Sequence, residues 1–226
     1  MANAHHYWSA MPRSKTDVSR PADTKYRLIR AAEQLFAENG LGAVSVRDIT
    51  RAAGARNESA LHYHFGSKEA LISAVFADRI HAIDLARRAR LEALDRENRD
   101  GDLAALMAAA LAPMLEACSE RGGRLYATFL MQLTADPRFD VDRLMEDLAP
   151  GSVEAVRRRA AAILRDLPSG VRDTRLRRLM TLSIAVMADY ARDVELGSAP
   201  PLGEAIAEAG ASLAGYLMAP AASAHR

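Results

Sequence analysis

The chain has 226 residues, half of them hydrophobic, and a formal net charge of +1. That length suits one large domain, or a small domain beside a larger one with a sizeable core. No run of eighteen apolar residues occurs and no charged leader precedes an apolar stretch near Met1 to Ser14, so neither a membrane span nor a secretory signal is expected. The single cysteine, Cys118, excludes an internal disulfide or a cysteine metal cluster, and a cytoplasmic setting is expected.

The small net charge hides an asymmetry. Residues 1–68 hold 10 Lys and Arg against 6 Asp and Glu, a net of +4, while the rest holds 20 against 23, a net of −3. A basic head on a mildly acidic body suits nucleic-acid binding. All three lysines (Lys15, Lys25, Lys68) lie in the head.

Residues 1–22 are polar and carry Pro12 and Pro21, which predicts a disordered tail. Its Arg13, Lys15 and Arg20 form either an arm toward DNA or a plain leader. A first helix is expected from Asp23 or Thr24, with Leu28, Ile29, Ala32, Leu35 and Phe36 on one stripe and a stop at Asn39-Gly40. A second follows Ser45, where Ser45 and Asp48 make a capping-box-like pair, and ends at Ala52-Ala53-Gly54. A third is expected from Asn57, as N-cap, to Phe65. Gly66-Ser67 breaks it, and Ser67 caps a long fourth helix into the Arg87–Arg90 region.

The remaining periodicity is helical as well. Helices are expected at about 102–120, 124–134, 140–166 (open to a break at Pro150-Gly151), 172–196 and 202–218. The helix at 172–196 is apolar nearly all round, through Leu176, Leu179, Met180, Leu182, Ile184, Val186, Met187, Tyr190 and Val194, which demands burial on several sides. Arg87, Arg88, Arg90 and Arg157 to Arg159 read as solvated faces, as do the paired Asp and Glu residues. Strand signals are almost absent, so the fold class is all-α. An N-terminal three-helix helix-turn-helix domain (23–69) precedes a larger helical domain (70–218), for which a ligand-binding and dimerisation role is implied only by the family resemblance given below, with a second disordered tail at 219–226.

Residues 45–65 form two short helices around a glycine turn, the helix-turn-helix arrangement. The second helix of such a pair enters the major groove, and residues near its N-terminus reach base edges. Here those are Asn57, Glu58 and Ser59, with Leu61 and Phe65 holding the helix to its neighbours. His62, Tyr63 and His64 project toward DNA or its flanks. His62 and His64 are two apart on a helix and face different ways, so no metal site is read from them.

Residues 24–75 resemble the DNA-binding domain of the TetR family. The resemblance is carried by Ala31-Ala32-Glu33-Gln34-Leu35-Phe36 with Gly40 and Gly42, by Val46-Arg47-Asp48-Ile49 and Ala52-Ala53-Gly54, and by Leu61-His62-Tyr63-His64-Phe65-Gly66-Ser67-Lys68-Glu69-Ala70-Leu71. One residue more than the commonest family spacing lies between Gly54 and Phe65, and His62 stands where tyrosine is common. The resemblance implies that Ser45 and Lys68 touch phosphates at helix N-termini and that Arg47 reaches a guanine or a phosphate. It implies base contacts from Asn57, Glu58 and Ser59, and backbone or thymine-methyl contacts from His62, Tyr63 and His64.

It further implies a homodimer through the last two helices, where Ala205, Ala207, Ala209, Gly210, Ala211, Ala214 and Gly215 permit close approach; the alternative is a last helix packed on its own chain. A small-molecule effector, apolar or aromatic, would meet Met107, Leu111, Met114, Tyr126, Phe129, Leu130, Leu133, Met187 and Tyr190. The function implied is a repressor that releases double-stranded operator DNA when that effector binds, with no cofactor. An activator of the same fold, a nucleoid-type protein and a helical ligand carrier without a DNA role are the alternatives. No phosphate loop, nucleophile elbow or Cys/His cluster is present to suggest an enzyme.

Overall fold

Alanine and leucine at helical spacing, punctuated by glycine, leave little for this chain to form but helices. The computed structural model describes residues 21–55, 57–119, 122–148 and 151–221. Ten helices occur among the described residues: α1 (Pro21–Asn39), α2 (Val46–Ala52), α3 (Ser59–Phe65), α4 (Lys68–Arg96), α5 (Leu103–Ser119), α6 (Gly123–Ala135), α7 (Val141–Leu148), α8 (Ser152–Ile163), α9 (Ser169–Leu196) and α10 (Leu202–Met218). None is long and apolar enough to cross a membrane. Residues 1–20 of the expected tail, with Arg13, Lys15 and Arg20, lie outside the described residues, as do residues 222–226, whereas residues 21 and 22 of that tail belong to α1.

The helix boundaries follow local chemistry. α1 starts at Pro21, two residues before the expected caps, because a proline's fixed φ and missing N–H suit the first turn. α4 runs past the expected Arg87–Arg90 region to Arg96, where Asn98 takes a left-handed φ of 54°. Arg99 N–H then reaches the Leu94 carbonyl at 2.9 Å and Asn98 N–H the Asp95 carbonyl at 3.2 Å, a Schellman-type close. The expected 140–166 helix is broken into α7 and α8 around Gly151, whose φ is 123°. α5 continues through Pro113, which denies the Ala109 carbonyl its helical donor.

α5 is the centre of the body. α4, α8, α9 and α10 all pack on it, and α6 lies between α9 and α1. The apolar core is continuous from Leu28 in α1 to Leu217 in α10 and crosses the expected boundary at residues 69 and 70 without a gap. α9 is buried through Leu176, Leu179, Ile184, Met187 and Tyr190, whereas Met180, Leu182, Val186 and Val194 are only half-buried. The small residues of α10 divide between two faces. Ala209, Gly210 and Ala214 are buried toward the chain's own body, and Ala207, Ala211 and Gly215 are exposed. At Gly210 a Cβ would stand 2.8 Å from the Ala104 carbonyl oxygen and 2.8 Å from Ala108 Cβ, both on α5. The alternative of packing on its own chain therefore accounts for that half of the small residues.

The sequence reading of six arginines as solvated needs correction at Arg87, Arg90, Arg157 and Arg159, and two charges that it did not single out are buried as well. Glu33 is 3% exposed and Arg79 is 7% exposed. They form a two-point ion pair, Arg79 Nε to Glu33 Oε1 at 3.0 Å and Nη2 to Oε2 at 3.3 Å. Glu33 also accepts from Arg30 at 2.6 Å, and Arg30 pairs in turn with Asp78. The Arg79 guanidinium lies over the Tyr126 ring, 5.3 Å from its centre. One network thus joins α1, α4 and α6. Arg87 is buried too, because the stripe Arg79, Ile80, Ile83, Asp84, Arg87, Leu91 and Leu94 follows the helical period and faces the core. Arg90 is half-buried against Glu116, and Arg157 and Arg159 bind Asp142 and Asp95. Only Arg88 and Arg158 of the six are exposed.

Three outcomes follow for stability. Gly210→Ala is expected to cost about 1–3 kcal/mol in urea unfolding, the scale of an overpacked contact. Gly170→Ala, whose Cβ meets nothing within 4 Å, is expected to stay within about 1 kcal/mol of the parent. Glu33→Ala strands a buried guanidinium and is expected to cost about 3–5 kcal/mol by the same measurement.

Candidate nucleic-acid interface and effector cavity

The turn into α2 is closed by reciprocal bonds. Ser45 Oγ accepts from Asp48 N–H at 3.1 Å, while Asp48 Oδ2 accepts from Ser45 N–H at 3.2 Å and from Ser45 Oγ at 2.6 Å. The Ser45 bonds hold the Asp48 carboxyl below its ordinary range, with Arg51 and Arg47 adding to the effect. α2 ends at Ala52, and Gly54 turns the chain with a φ of 64°. Asn57, the expected N-cap, lies two residues before α3. Glu58 occupies the cap position in helical geometry and makes no side-chain cap bond. The extra residue in this turn shifts the helix start without a replacement cap.

α3 is fixed from behind by Leu61, which is fully buried, and by half-buried Phe65, with Lys25 5.9 Å from the centre of its ring. Its other face is open. Arg47, Asn57, Glu58, Ser59 and His62 are exposed, and Tyr63 is 81% exposed. His62 Nδ1 donates to the Gly66 carbonyl at 2.9 Å, which ties the ring to its own helix end. His64 is half-buried, edge-on to Tyr63 with ring centres 5.0 Å apart.

Two residues expected at phosphates have structural partners. The Ser45 hydroxyl is engaged by Asp48. Lys68 turns inward, its Nζ donating to the Leu41 carbonyl at 2.6 Å and to the Val44 carbonyl. It stands 5.7 Å from the centre of the Phe36 ring. Burial pushes the Lys68 ammonium below its ordinary value, and Arg138 nearby pushes the same way. Lys68 therefore fastens the loop between α1 and α2 to the start of α4, a role its position at a helix N-terminus did not disclose.

The nine residues expected to meet an effector are all buried. Most belong to packed core. Tyr126 and Phe129 lie with ring centres 6.3 Å apart, Phe36 and Phe129 6.2 Å apart, and Tyr126 Oη donates to the Phe76 carbonyl at 3.3 Å. Burial raises the Tyr126 phenol above its ordinary value. Tyr190 borders an open groove between α9 and α10. A half-open cavity of about 40 Å³ lies elsewhere, between α4, α5, α8 and α9, and Met114 alone of the nine lines it. Arg87, Val156, Leu179, Met180 and Ser183 line it as well. Sequence reasoning missed Arg87 by weighing its residue type above its place in the helical period.

Two short helices around a glycine turn, the second held by its apolar side and open on the other, make a helix-turn-helix arrangement. Residues 28–75 match the family model for bacterial regulatory proteins of the tetR family. The transcriptional repressor KstR2 of Mycolicibacterium smegmatis is 42% identical over 60 residues, 26% of this chain and 29% of that protein. KstR2 of Rhodococcus jostii is 40% identical over 93 residues, 37% of this chain and 45% of the relative. The chain thus spans less than half the length of either curated relative. NalD of Pseudomonas aeruginosa, the secondary repressor of the MexAB-OprM multidrug efflux pump, shares the fold with a TM-score of 0.54 at 19% identity, over 86% of this chain and 96% of that one. Residues 28–75 therefore carry a DNA-binding domain of the TetR type.

Because the Ser45–Asp48 box is the cap of α2, Ser45→Ala is expected to lower stability by about 1 kcal/mol in thermal unfolding. Ser45→Asp, which also caps, is expected to restore most of the loss.

Proposed function

We propose that this chain is a homodimeric transcriptional repressor that binds operator DNA through α3 and releases it when a small molecule enters the body. The supporting observation is the asymmetry of α3: Leu61 is fully buried while Tyr63, two residues on, is 81% exposed. A short helix fixed so firmly on one side and left bare on the other fits a groove, not a core. Asn57, Glu58 and Ser59 stand at its start as the base-reading group, Arg47 and the His62–Tyr63–His64 run flank it, and Ser45 and Lys68 hold the frame, with their phosphate contacts made through local rearrangement.

The dimer is assigned to the exposed sides of α9 and α10, where Ala185, Ala207, Ala211 and Gly215 leave room for a second copy. Two heads are required because each reads one half-site, and half-sites lie a helical turn or its multiples apart. Residues 70–218 serve as the sensing and dimerising unit, and 23–69 as the reading head. Release is a population shift. The effector binds better to a conformer whose heads are misspaced, and that difference in affinity drives dissociation. The expected place of action is the cytoplasm, and no catalytic step is assigned to the chain.

The test is fluorescence anisotropy with duplexes tiled across the region upstream of the protein's own gene. One duplex is expected to bind tightly, with the logarithm of the affinity falling linearly with the logarithm of salt. Asn57→Ala is expected to cost about 1–3 kcal/mol on that duplex while leaving weak non-specific binding alone. Equal, weak binding to every duplex would contradict the reading.

A further inference from the structure

The cavity between α4, α5, α8 and α9 is walled mostly by hydrocarbon, with two arginines, Arg87 and Arg157, at its border. Met114, Val156, Leu179 and Met180 provide the apolar surface, and Arg87 reaches it from α4. Arg87 is 4% exposed. Its Nε donates to the Ala110 carbonyl at 2.9 Å and its Nη1 to Ser152 Oγ at 3.1 Å. Both acceptors are neutral. Among the described residues no carboxylate closes an ion pair with Arg87, and Nη2 has no hydrogen-bond partner.

Of the neighbouring charges, Arg157 is matched and Asp84 only in part, since its Oδ1 is buried without a hydrogen-bond partner. Asp84, one turn back on α4, takes Arg88 at 2.7 Å. Arg157, which also borders the cavity, binds Asp142 at 2.6 Å and lies 3.6 Å from Glu146. Asp84 supports the charge on Arg87 from a distance, and burial works against it, bringing the guanidinium down to about 10. At neutral pH the group remains a cation. A buried cation without a contacting anion is costly, and a planar guanidinium is the group best shaped to take a carboxylate by two parallel bonds.

We propose that the effector is an amphiphilic monoanion whose carboxylate is bound by Arg87 while its apolar chain lies against Met114, Val156, Leu179 and Met180. This rests on the reading of the body as a sensor and replaces the expectation of a purely apolar or aromatic effector. Ser183, on the cavity wall, supplies a further polar contact. The cavity of about 40 Å³ holds water but not an alkyl chain, since small-molecule sites run to roughly 300–1,000 Å³. The ligand therefore favours an enlarged conformer, and the unbranched side chains of Met114 and Met180 are suited to moving aside. Enlarging this cavity displaces α4 or α8, and α4 is the helix that carries the head.

Isothermal titration of the full-length protein without DNA tests the assignment, using hexanoate, octanoate and decanoate, each against the alcohol of the same length. Wild type is expected to bind at least one carboxylate about tenfold more tightly than its alcohol, the scale of a hydrogen bond to a charged group. Arg87→Met is expected to bind the two alike, and Arg87→Lys to keep a reduced preference, because a point charge lacks the fork. No binding by any carboxylate, equal binding of acid and alcohol to wild type, or an undiminished preference in Arg87→Lys would overturn the assignment. The wild-type comparison and Arg87→Lys decide it even where Arg87→Met does not fold. A carboxylate that binds with the expected preference yet leaves the DNA complex intact supports this site and contradicts the release mechanism, so the two failures are distinguishable.

Discussion

The Arg79–Glu33 ion pair ties together α1 and α4, the two helices on which α3 is seated. α3 is only seven residues long and has no side-chain cap bond, so it does not hold itself in place. It is seated on α1 and α4 through Leu61 and Phe65, and those two helices are pinned to each other and to α6 by the bidentate pair and the Tyr126 ring above it. A buried pair of this kind is weak evidence for net stability, since desolvation offsets most of the attraction. Its geometric effect is different. Two parallel bonds at 3.0 and 3.3 Å tolerate little rotation, so the helices cannot slide without uncovering a charge. Lys68 extends the constraint by fastening the α1–α2 loop to the start of α4.

The same helix carries the second buried arginine. Arg79 and Arg87 stand eight residues apart on α4, about 12 Å of helical rise, and both face inward. One grips the head through Glu33, and the other reaches the cavity in the body. α4 has no proline or glycine between them to absorb a bend. On the proposed reading, a change at Arg87 is transmitted to the head as motion of a stiff rod and needs no chain of side-chain rearrangements. The continuous core from α1 to α10 points the same way, because the head has no slack joint against the body.

Much of this architecture was legible in the sequence, for local reasons. Ser45 with Asp48, Gly54 and Ser67 are signals read within a few residues, and the helix limits they mark agree closely with the structure. The all-helical class followed from periodicity alone. Three kinds of feature were not legible. Arg87 was hidden because charge was taken as a sign of exposure, although its phase on an apolar stripe places it inside, and the same phase, not followed for Glu33 and Arg79, places them there too. Gly210 was assigned to a dimer face because a small residue shows that something comes close without showing what, and here it is α5. The cavity was missed because it forms where four helices diverge, which no pattern along a single helix encodes; Phe129 and Tyr126 pack a core, and Met114 borders a void.

The central claim is that the segment from Ser45 to Lys68 is what meets a duplex. Backbone hydrogen exchange, followed with and without a bound specific duplex, tests it most directly. The account predicts that new protection is concentrated in residues 45–68, strongest around Asn57 to Tyr63, with little change in α5, α9 and α10. Protection that leaves residues 45–68 unaltered and falls on the body would contradict it.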